Sequence, residues 1–188
     1  MPVPWKVIRR TVHRHSPYRA IEDVEFQLPD GQVRTFALKK EGVVVTVLAL
    51  TPDERVVLAR QYRPGPGRIL DELPGGGLNA GETPDAAAAR ELLEETGYQP
   101  HDLHSLGTFV DCGYSTMVRH AFVAQGCRRV AEQQLDATED IEVVLKTLPE
   151  FLAQLQSGEA SDLEVGWAAL SYLGYLRPSW QADDDSSL

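Results

Sequence analysis

The chain has 188 residues, with 28 acidic and 18 basic side chains and a formal net charge of −10. This length suits one domain with a complete hydrophobic core and a small additional sheet, and the charge argues against non-specific nucleic-acid binding, which needs clustered lysine and arginine. There is no apolar run of about 18 residues and no charged-then-apolar N-terminus, so we expect no membrane partner, no secretion signal and a cytoplasmic location.

The first 40 residues are predicted to form an antiparallel sheet. Residues 5–12, 21–28 and 33–38 have the composition of strands, and the Pro-Asp-Gly at 29–31 is typical of a tight turn between the last two. Trp5 and Tyr18 have flat rings that could stack on a nucleotide base, although packing within the sheet is an equally good interpretation of both.

A second group of strands is predicted to form a central sheet. The apolar runs at 42–50 and 55–61 indicate buried strands. Arg60 and Arg63 lie at the end of the second run, where forked hydrogen bonds from both could hold a diphosphate. Pairing of either arginine with Glu72 or another acid is the alternative. Further strands are predicted at 69–73, 103–110, 119–124 and 141–145.

The stretch from 76 to 98, GGLNAGETPDAAAARELLEETGY, places four glutamates and an arginine in a loop and one short helix. Thr83 is a suitable N-cap, Pro84 suits the first helical position, and Gly97 can adopt the left-handed conformation that ends a helix. We therefore predict a helix over 84–96, with acidic and apolar residues on opposite faces at about 100° per residue. The acidic face contains Glu91, Glu94 and Glu95, and the apolar face contains Ala86, Ala89, Leu92 and Leu93.

The acidic face of this helix needs a compensating cation. Carboxylates near a helix C-terminus oppose the helix dipole, and Glu91 and Glu95, four residues apart, repel each other by roughly a few tenths of a kcal/mol. Arg90 can pair with Glu94, which leaves two carboxylates for a hard divalent cation such as Mg²⁺. The pattern predicts a metal-binding helix, and a solvated acidic surface is the commoner alternative for glutamate-rich helices.

The spacing of these residues resembles the Nudix box of the Nudix hydrolase family. From Gly76 the chain has five residues, Glu82, seven residues, Arg90-Glu91-Leu92, one residue, Glu94-Glu95, one residue, Gly97 and the apolar Tyr98. The resemblance implies an α/β/α sandwich with a mixed central sheet, the box as loop-helix-loop, and hydrolysis of a nucleoside diphosphate linked to another moiety.

The same resemblance implies the roles of the box residues. It implies Mg²⁺, or Mn²⁺ as a substitute, held chiefly by Glu91 and Glu95. Help would come from Glu94 and from the carbonyl of Gly75. It also implies that Arg90 orients the carboxylates and that Glu82 supports the loop more than the chemistry.

Outside the box, the Gln-Tyr-Arg at 61–63 and the Glu-Leu-Pro at 72–74 are similar to the branch that cleaves ADP-ribose and nucleotide sugars. In that branch an N-terminal sheet helps to build a homodimer and lends residues to the substrate pocket. Many ADP-ribose pyrophosphatases have Pro-Gly where this chain has Cys112-Gly113, a departure that weakens the assignment of ADP-ribose. Tyr114 and Ser115 offer hydroxyls to a sugar or phosphate instead.

A polar loop at 133–140 precedes the last predicted strand. In the family branch, a loop glutamate at the position of Glu139 binds metal or deprotonates water. A second loop glutamate of some members falls on Ala137 here. Glu139 is therefore our first choice as general base, and Glu94 is the alternative.

Two C-terminal helices are predicted at 149–156 and 162–176, where leucine and tryptophan at helical spacing indicate core packing. The resulting organisation is an N-terminal extension at 1–40, a hydrolase domain at 41–178 and a disordered tail at 179–188. Cys112 and Cys127 are too few for a disulfide framework or a zinc site and are predicted to be reduced thiols.

The sequence thus predicts a homodimeric, metal-dependent enzyme that cleaves ADP-ribose or a nucleotide sugar into a nucleoside monophosphate and a sugar phosphate. A second interpretation keeps the metal helix but takes a dinucleoside polyphosphate or a non-canonical nucleoside triphosphate. A third is a nucleotide sensor without catalysis, which is disfavoured because no carboxylate of the box is missing.

Overall fold

The computed structural model describes residues 1–16 and 19–176, which divide into two compact units. The first unit contains Met1–Val43 and Val110–Arg119, and the second contains Val44–Phe109 and the chain from His120 onward. The predicted N-terminal extension thus falls in the first unit together with a loop that the sequence analysis had assigned to the hydrolase domain. The predicted tail at 179–188 lies outside the described residues.

The first unit is built on the N-terminal antiparallel sheet that the sequence predicts. Its strands are β1 (Lys6–Ser16), β2 (Arg19–Gln27) and β3 (Val33–Lys40), in the order β1-β2-β3. Gly31, with φ of 84°, makes the turn between β2 and β3, a conformation that glycine adopts without steric cost.

The second unit contains all three helices of the described chain and the central sheet, apart from the end residues of β4, β8 and β9 that fall in the first unit. The strands are β4 (Val43–Leu50), β5 (Arg55–Arg63), β6 (Arg68–Glu72), β7 (Tyr98–Gln99), β8 (Asp102–Val110), β9 (Val118–Gln125), β10 (Arg128–Arg129) and β11 (Glu142–Thr147). The helices are α1 (Pro84–Thr96), α2 (Leu148–Ser157) and α3 (Leu163–Tyr172). The six-stranded sheet has the order β11-β5-β4-β9-β8, with β6 paired to β5, and β7 pairs separately with β10.

Strand β5 supplies both layers of the core, because alternate side chains of a strand point to opposite faces. Val56 and Leu58 lie in a cluster with Phe151 of α2 and Leu170 of α3, whereas Val57 lies in a second cluster with Leu92 of α1. Helix α1 therefore covers one face of the sheet, and α2 and α3 cover the other.

The pairing of β6 with β5 determines where the loop between β6 and α1 begins. Ala59 pairs with Val143 of β11 and with Glu72 of β6, so β6 lies on the side of β5 opposite β11. Strand β4 pairs with β5 on the same side as β6 but nearer the start of β5, at Val57. The chain that leaves β6 consequently enters the 74–77 loop beside β4.

The prediction for the last helix is wrong at its C-terminal end. Helix α3 ends at Tyr172 and not at Leu176, because Leu173 is the cap and Gly174 takes a left-handed φ of 79° that cannot continue the helix. Among the described residues, none of the helices has the length and apolar character needed to cross a bilayer.

Candidate active site

Helix α1 has the bounds that its local signals predict. The Thr83 hydroxyl accepts the N–H of Ala86 at 3.4 Å, Pro84 occupies the first turn, and Gly97 has a φ of 76°. The N–H of Gly97 then donates to the carbonyl of Leu93, which satisfies one of the unpaired carbonyls at the helix end. These caps fix where the helix begins and ends, and therefore where Glu91, Glu94 and Glu95 lie along it.

The predicted assignment of faces on α1 is correct for Leu92, which is buried in the core, and wrong for Ala86. Ala86 is exposed, whereas Ala87 and Ala88 are buried and Glu95 is only 5% exposed. The small alanines next to the acidic face let that side of the helix approach the sheet, and Leu92 packs there as well. The glutamate side therefore points inward, where one of its carboxylates finds a backbone partner.

That partner is Gly75, in the loop that runs beside β4. The carbonyls of Pro74 and Gly76 accept the N–H groups of Val47 and Val45, each at 2.9 Å. Gly75, between them, donates its N–H to Oε2 of Glu95 at 2.9 Å. Because the N–H and C=O of one residue in such a pairing point to the same side, we expect the Gly75 carbonyl on the side of α1 as well.

Glycine is required at this position by space. A Cβ on Gly75 would stand 2.2 Å from the carbonyl oxygen of Val45, which is backbone and cannot move aside. The absence of a side chain lets the 74–77 loop lie directly against β4 with its polar groups turned to α1. This close approach brings the Gly75 backbone to the buried carboxylate of Glu95.

Arg90 is the centre of a hydrogen-bond network that holds the loop to α1. Its Nε and Nη2 donate to the two carboxylate oxygens of Glu82, at 2.8 and 2.9 Å, and Nη2 also donates to the Gly77 carbonyl at 2.9 Å. Nη1 donates to Glu91 at 2.9 Å and to Glu94 at 2.8 Å. The predicted roles of Arg90 and Glu82 are compatible with this geometry.

Burial perturbs the two inner carboxylates. Burial, more than any other cause, raises the pKa of Glu95 to about 8, while its hydrogen bond from Gly75 acts in the opposite direction. Burial also raises the pKa of Glu91, against the lowering effect of Arg90. Two desolvated carboxylates side by side are a costly arrangement that a bound cation relieves.

The loop that carries Glu139 is attached to the end of α1. Gln134 donates its backbone N–H to the Glu94 carbonyl at 2.8 Å, and Gln133 Nε2 donates to the Glu95 carbonyl at 2.6 Å. The charge of Glu139 is among the causes that raise the pKa of both Glu91 and Glu95. Sequence reasoning missed Gln133, because nothing local distinguishes a glutamine in a polar loop.

The donor set fits a hard divalent cation by its chemistry. Glu91 and Glu95 are desolvated carboxylates next to the Gly75 backbone, and carboxylate and carbonyl oxygens are the ligands that Mg²⁺ and Mn²⁺ prefer. Within residues 1–16 and 19–176, no three His, Cys, Asp or Glu side chains already stand together as a metal site. The fit therefore rests on the types of ligand and their burial, and not on a preformed cage.

Both arginines predicted to hold the diphosphate are engaged in ion pairs. Arg60 donates to Asp71 through Nε at 2.6 Å and Nη2 at 3.1 Å, and Lys146 shares the same carboxylate at 2.6 Å. Arg63 pairs with the buried Glu72 and is among the charges that act on Glu95. Both arginines thus pair with acidic side chains, which is the alternative that the sequence left open. Their contact with a diphosphate stays a prediction.

The substrate residues predicted in the first unit also have partners there. The ring of Trp5 lies 5.1 Å from that of Phe36, and Tyr114 stacks on the same Phe36 at 6.5 Å with 60% of its surface exposed. The Ser115 hydroxyl donates to Glu41 at 2.5 Å. Tyr18 lies outside the described residues. Contact of these residues with substrate stays a prediction.

Alanine substitution at two adjacent glycines should separate catalysis from folding. A Cβ on Gly76 would lie 2.5 Å from Oε1 of Glu91, whereas a Cβ on Gly77 would meet no atom within 4 Å. We expect Gly76→Ala to displace the Glu91 carboxylate and to lower kcat by about 10- to 100-fold, with Gly77→Ala as the matched control near wild-type activity. Equal kcat values of the two variants would show that catalysis does not depend on the position of the Glu91 carboxylate.

The chain is similar to known proteins along most of its length. A NUDIX domain family model matches residues 40–183. The chain is 34% identical over 164 residues to an ADP-ribose pyrophosphatase of Bacillus subtilis (strain 168), with 86% of each chain covered. It is 32% identical over 144 residues to a methanol dehydrogenase activator of Bacillus methanolicus, with 76% of this chain and 77% of the relative covered.

The fold is similar to that of a solved structure. A crystal structure of an ADP compounds hydrolase matches with a TM-score of 0.75 at 20% identity and covers 94% of this chain and 99% of its own. This likeness confirms the predicted fold class. Because the family model spans most of the chain and the Bacillus subtilis relative matches along the greater part of both proteins, the chain belongs to the Nudix family of pyrophosphohydrolases.

Proposed function

We propose that this Nudix enzyme hydrolyses the diphosphate bond of ADP-ribose or a related ADP-sugar and releases AMP and a sugar phosphate. The observation that carries the proposal is the burial of Glu91 and Glu95 on α1, with the Gly75 N–H donating to Glu95 and the Glu139 loop attached to the same helix end. The Bacillus subtilis relative is an ADP-ribose pyrophosphatase, which supports the choice of substrate.

The residues of the site divide into ligands for a cation and groups that orient them. We propose Mg²⁺, with Mn²⁺ as a substitute, held by Glu91, Glu95 and the Gly75 carbonyl, with help from Glu94 and Glu139. Such a cation supplies Lewis acidity at the diphosphate and makes a water easier to deprotonate. Arg90 holds Glu91 in place from the side of the loop.

The general base is best assigned to Glu139. Glu94 is held against the Arg90 guanidinium at 2.8 Å, so its carboxylate is less available to accept a proton. Glu139 accepts only a backbone N–H, that of Asp136 at 2.8 Å, among the hydrogen bonds of the described residues. A carboxylate on a partly exposed loop can take the proton from an attacking water and pass it to solvent.

Product analysis with a substrate panel tests the proposal. The purified protein should convert ADP-ribose to AMP and ribose 5-phosphate in the presence of Mg²⁺, and EDTA should abolish turnover, because the carboxylates alone cannot neutralise a diphosphate. The panel should include nucleotide sugars, dinucleoside polyphosphates and nucleoside triphosphates, resolved by chromatography. Release of inorganic pyrophosphate from triphosphates, with no cleavage of ADP-ribose, would assign the enzyme to the second interpretation.

We also propose that the protein is a homodimer assembled through its N-terminal sheet. Strand β1 is an edge strand of that sheet, and its aliphatic side chains Val7, Ile8 and Val12 are each more than 40% exposed. A long exposed edge strand with apolar side chains is a ready surface for pairing with a second chain. Light scattering should give twice the chain mass of 20.8 kDa, and a mass of one chain at micromolar concentration would contradict the proposal.

A further inference from the structure

The side-chain amide of Gln133 joins two segments that are far apart in the sequence. Its Nε2 donates to the carbonyl oxygen of Glu95 at 2.6 Å and to that of Ile141 at 3.0 Å. Both partners are acceptors, so only the nitrogen of the amide can face them. The first carbonyl belongs to the last turn of α1, and the second closes the loop just before β11 begins.

This contact uses carbonyls that α1 cannot satisfy by itself. The last carbonyls of a helix have no intrahelical donor, and here those of Glu94 and Glu95 are taken by Gln134 and Gln133 respectively. Further along the loop, Asp136 and Glu139 close a turn. The N–H of Asp136 donates to the Glu139 carboxylate at 2.8 Å, and the N–H of Glu139 donates to the Asp136 carbonyl at 2.9 Å. Glu139 thus lies on a short closed segment whose two ends meet at Gln133.

We propose that Gln133 is a positioning residue that sets the distance between Glu139 and the Glu91–Glu95 pair by holding the Glu139 loop to the last turn of α1. The proposal rests on the hydrolase function proposed above and deepens it. Gln133 touches neither substrate nor cation. It acts because a leucine or alanine there leaves the carbonyls of Glu95 and Ile141 without the donor that joins them, and the loop is then held to α1 through the backbone N–H of Gln134.

A double-mutant cycle tests this role. Gln133→Leu removes both N–H donors without adding charge and should lower kcat for ADP-ribose by about 10- to 100-fold, with KM changed less than about threefold, since misplacement of a base by about 1 Å has effects of this size. In the Glu139→Gln background, the same substitution should lower kcat by less than about threefold, because the group that Gln133 positions has already been disabled. The matched control is Gln134→Leu, whose exposed side chain is replaced while its backbone hydrogen bond remains.

Amide hydrogen exchange on the metal-free protein gives a readout that does not depend on activity. Gln133→Leu should increase exchange at the amides of Gln134, Asp136 and Glu139 and leave the amides in the middle of α1 protected. Equal losses of kcat in both backgrounds, or a wild-type exchange pattern with a wild-type kcat, would overturn the role of Gln133. A loop that loosens without a fall in kcat would overturn it too, whereas a wild type that cleaves no ADP-ribose would overturn the proposed function itself.

Discussion

Glu95→Gln should lower kcat for ADP-ribose at least about 1,000-fold, a loss of several kcal/mol of transition-state stabilisation. The substitution keeps the shape of the side chain and the hydrogen bond from Gly75, since an amide oxygen can accept that N–H. It removes the charge that a divalent cation would bind. Steady-state kinetics at saturating Mg²⁺ measures the effect, and Asp85→Asn, in the exposed first turn of the same helix, is the matched control.

The same variant should be at least as stable as the wild type without metal. Burial raises the pKa of Glu95 from 4.5 to about 8, so the folded state disfavours the ionised carboxylate. The variant should therefore have the same free energy of unfolding as the wild type at low pH. Its excess over the wild type should grow as the pH rises from about 4.5 to about 8, at a rate that falls to zero as Glu95 ionises in the folded state, and stay constant above that. Urea unfolding at several pH values measures it, and Mg²⁺ should stabilise the wild type more than the variant.

A variant that keeps more than about a tenth of wild-type kcat would remove the basis for catalysis by α1, since loss of a true ligand costs far more. A variant that unfolds in the absence of metal would show instead that Glu95 has a structural role. These two outcomes are separable, because the first is measured in kcat and the second in the free energy of unfolding.

Arg90→Lys should reduce both stability and activity. Arg90 makes five hydrogen bonds, to Glu82, Glu91, Glu94 and the Gly77 carbonyl, and its planar fork spans Glu82 with two of them. A lysine keeps the charge but brings one nitrogen in place of three. We expect a loss of about 2 to 4 kcal/mol in the free energy of unfolding and a fall of about 100-fold in kcat, because partly buried carboxylates lose their partner and Glu91 moves.

The matched control for this prediction is Arg129→Lys. Arg129 pairs with Glu132, whose side chain is 91% exposed, and exposed pairs contribute less than about 1 kcal/mol. Urea unfolding of both variants should give clearly different losses. Equal small losses would mean that the Arg90 network contributes little and that the hydrogen bonds of Pro74 and Gly76 with β4 and of Gly75 with Glu95 hold the loop.

The bounds of α1 could be predicted because the interactions that set them are local. Thr83 and Pro84 begin the helix and Gly97 ends it through contacts within four residues, which do not depend on the rest of the fold. The family could be predicted for a related reason. The spacing from Gly76 to Gly97 is a property of the sequence itself, and the match of a NUDIX domain over 40–183 confirms it.

The orientation of α1 could not be predicted in the same way. Amphipathic patterning assigned Ala86 to the apolar face opposite the glutamates, yet Glu95 is buried and Ala86 is exposed. A hydrophobicity pattern treats every carboxylate as a surface group, whereas this one is turned inward by a backbone N–H at Gly75 that is twenty residues away. A functional site is where such a rule is expected to fail.

The choice of partners for the arginines was likewise left open by the sequence. Arg60 and Arg63 could serve a diphosphate or an acid. The register of β5 with β6 places Asp71 opposite Arg60, and Arg63 pairs with Glu72, which lies opposite Ala59 in that register. Gln133 gave no signal at all, because its two acceptors are brought together by the end of α1 and the start of β11.

The sequence by itself determined the extent of α1, the Nudix family and the set of acidic residues available to a cation. The tertiary structure alone decided which carboxylates are desolvated, which arginines are paired and how Glu139 is held near Glu91 and Glu95. The physical reason is that caps and spacing depend on neighbours in the chain, whereas burial and ion pairing depend on segments that meet only after folding.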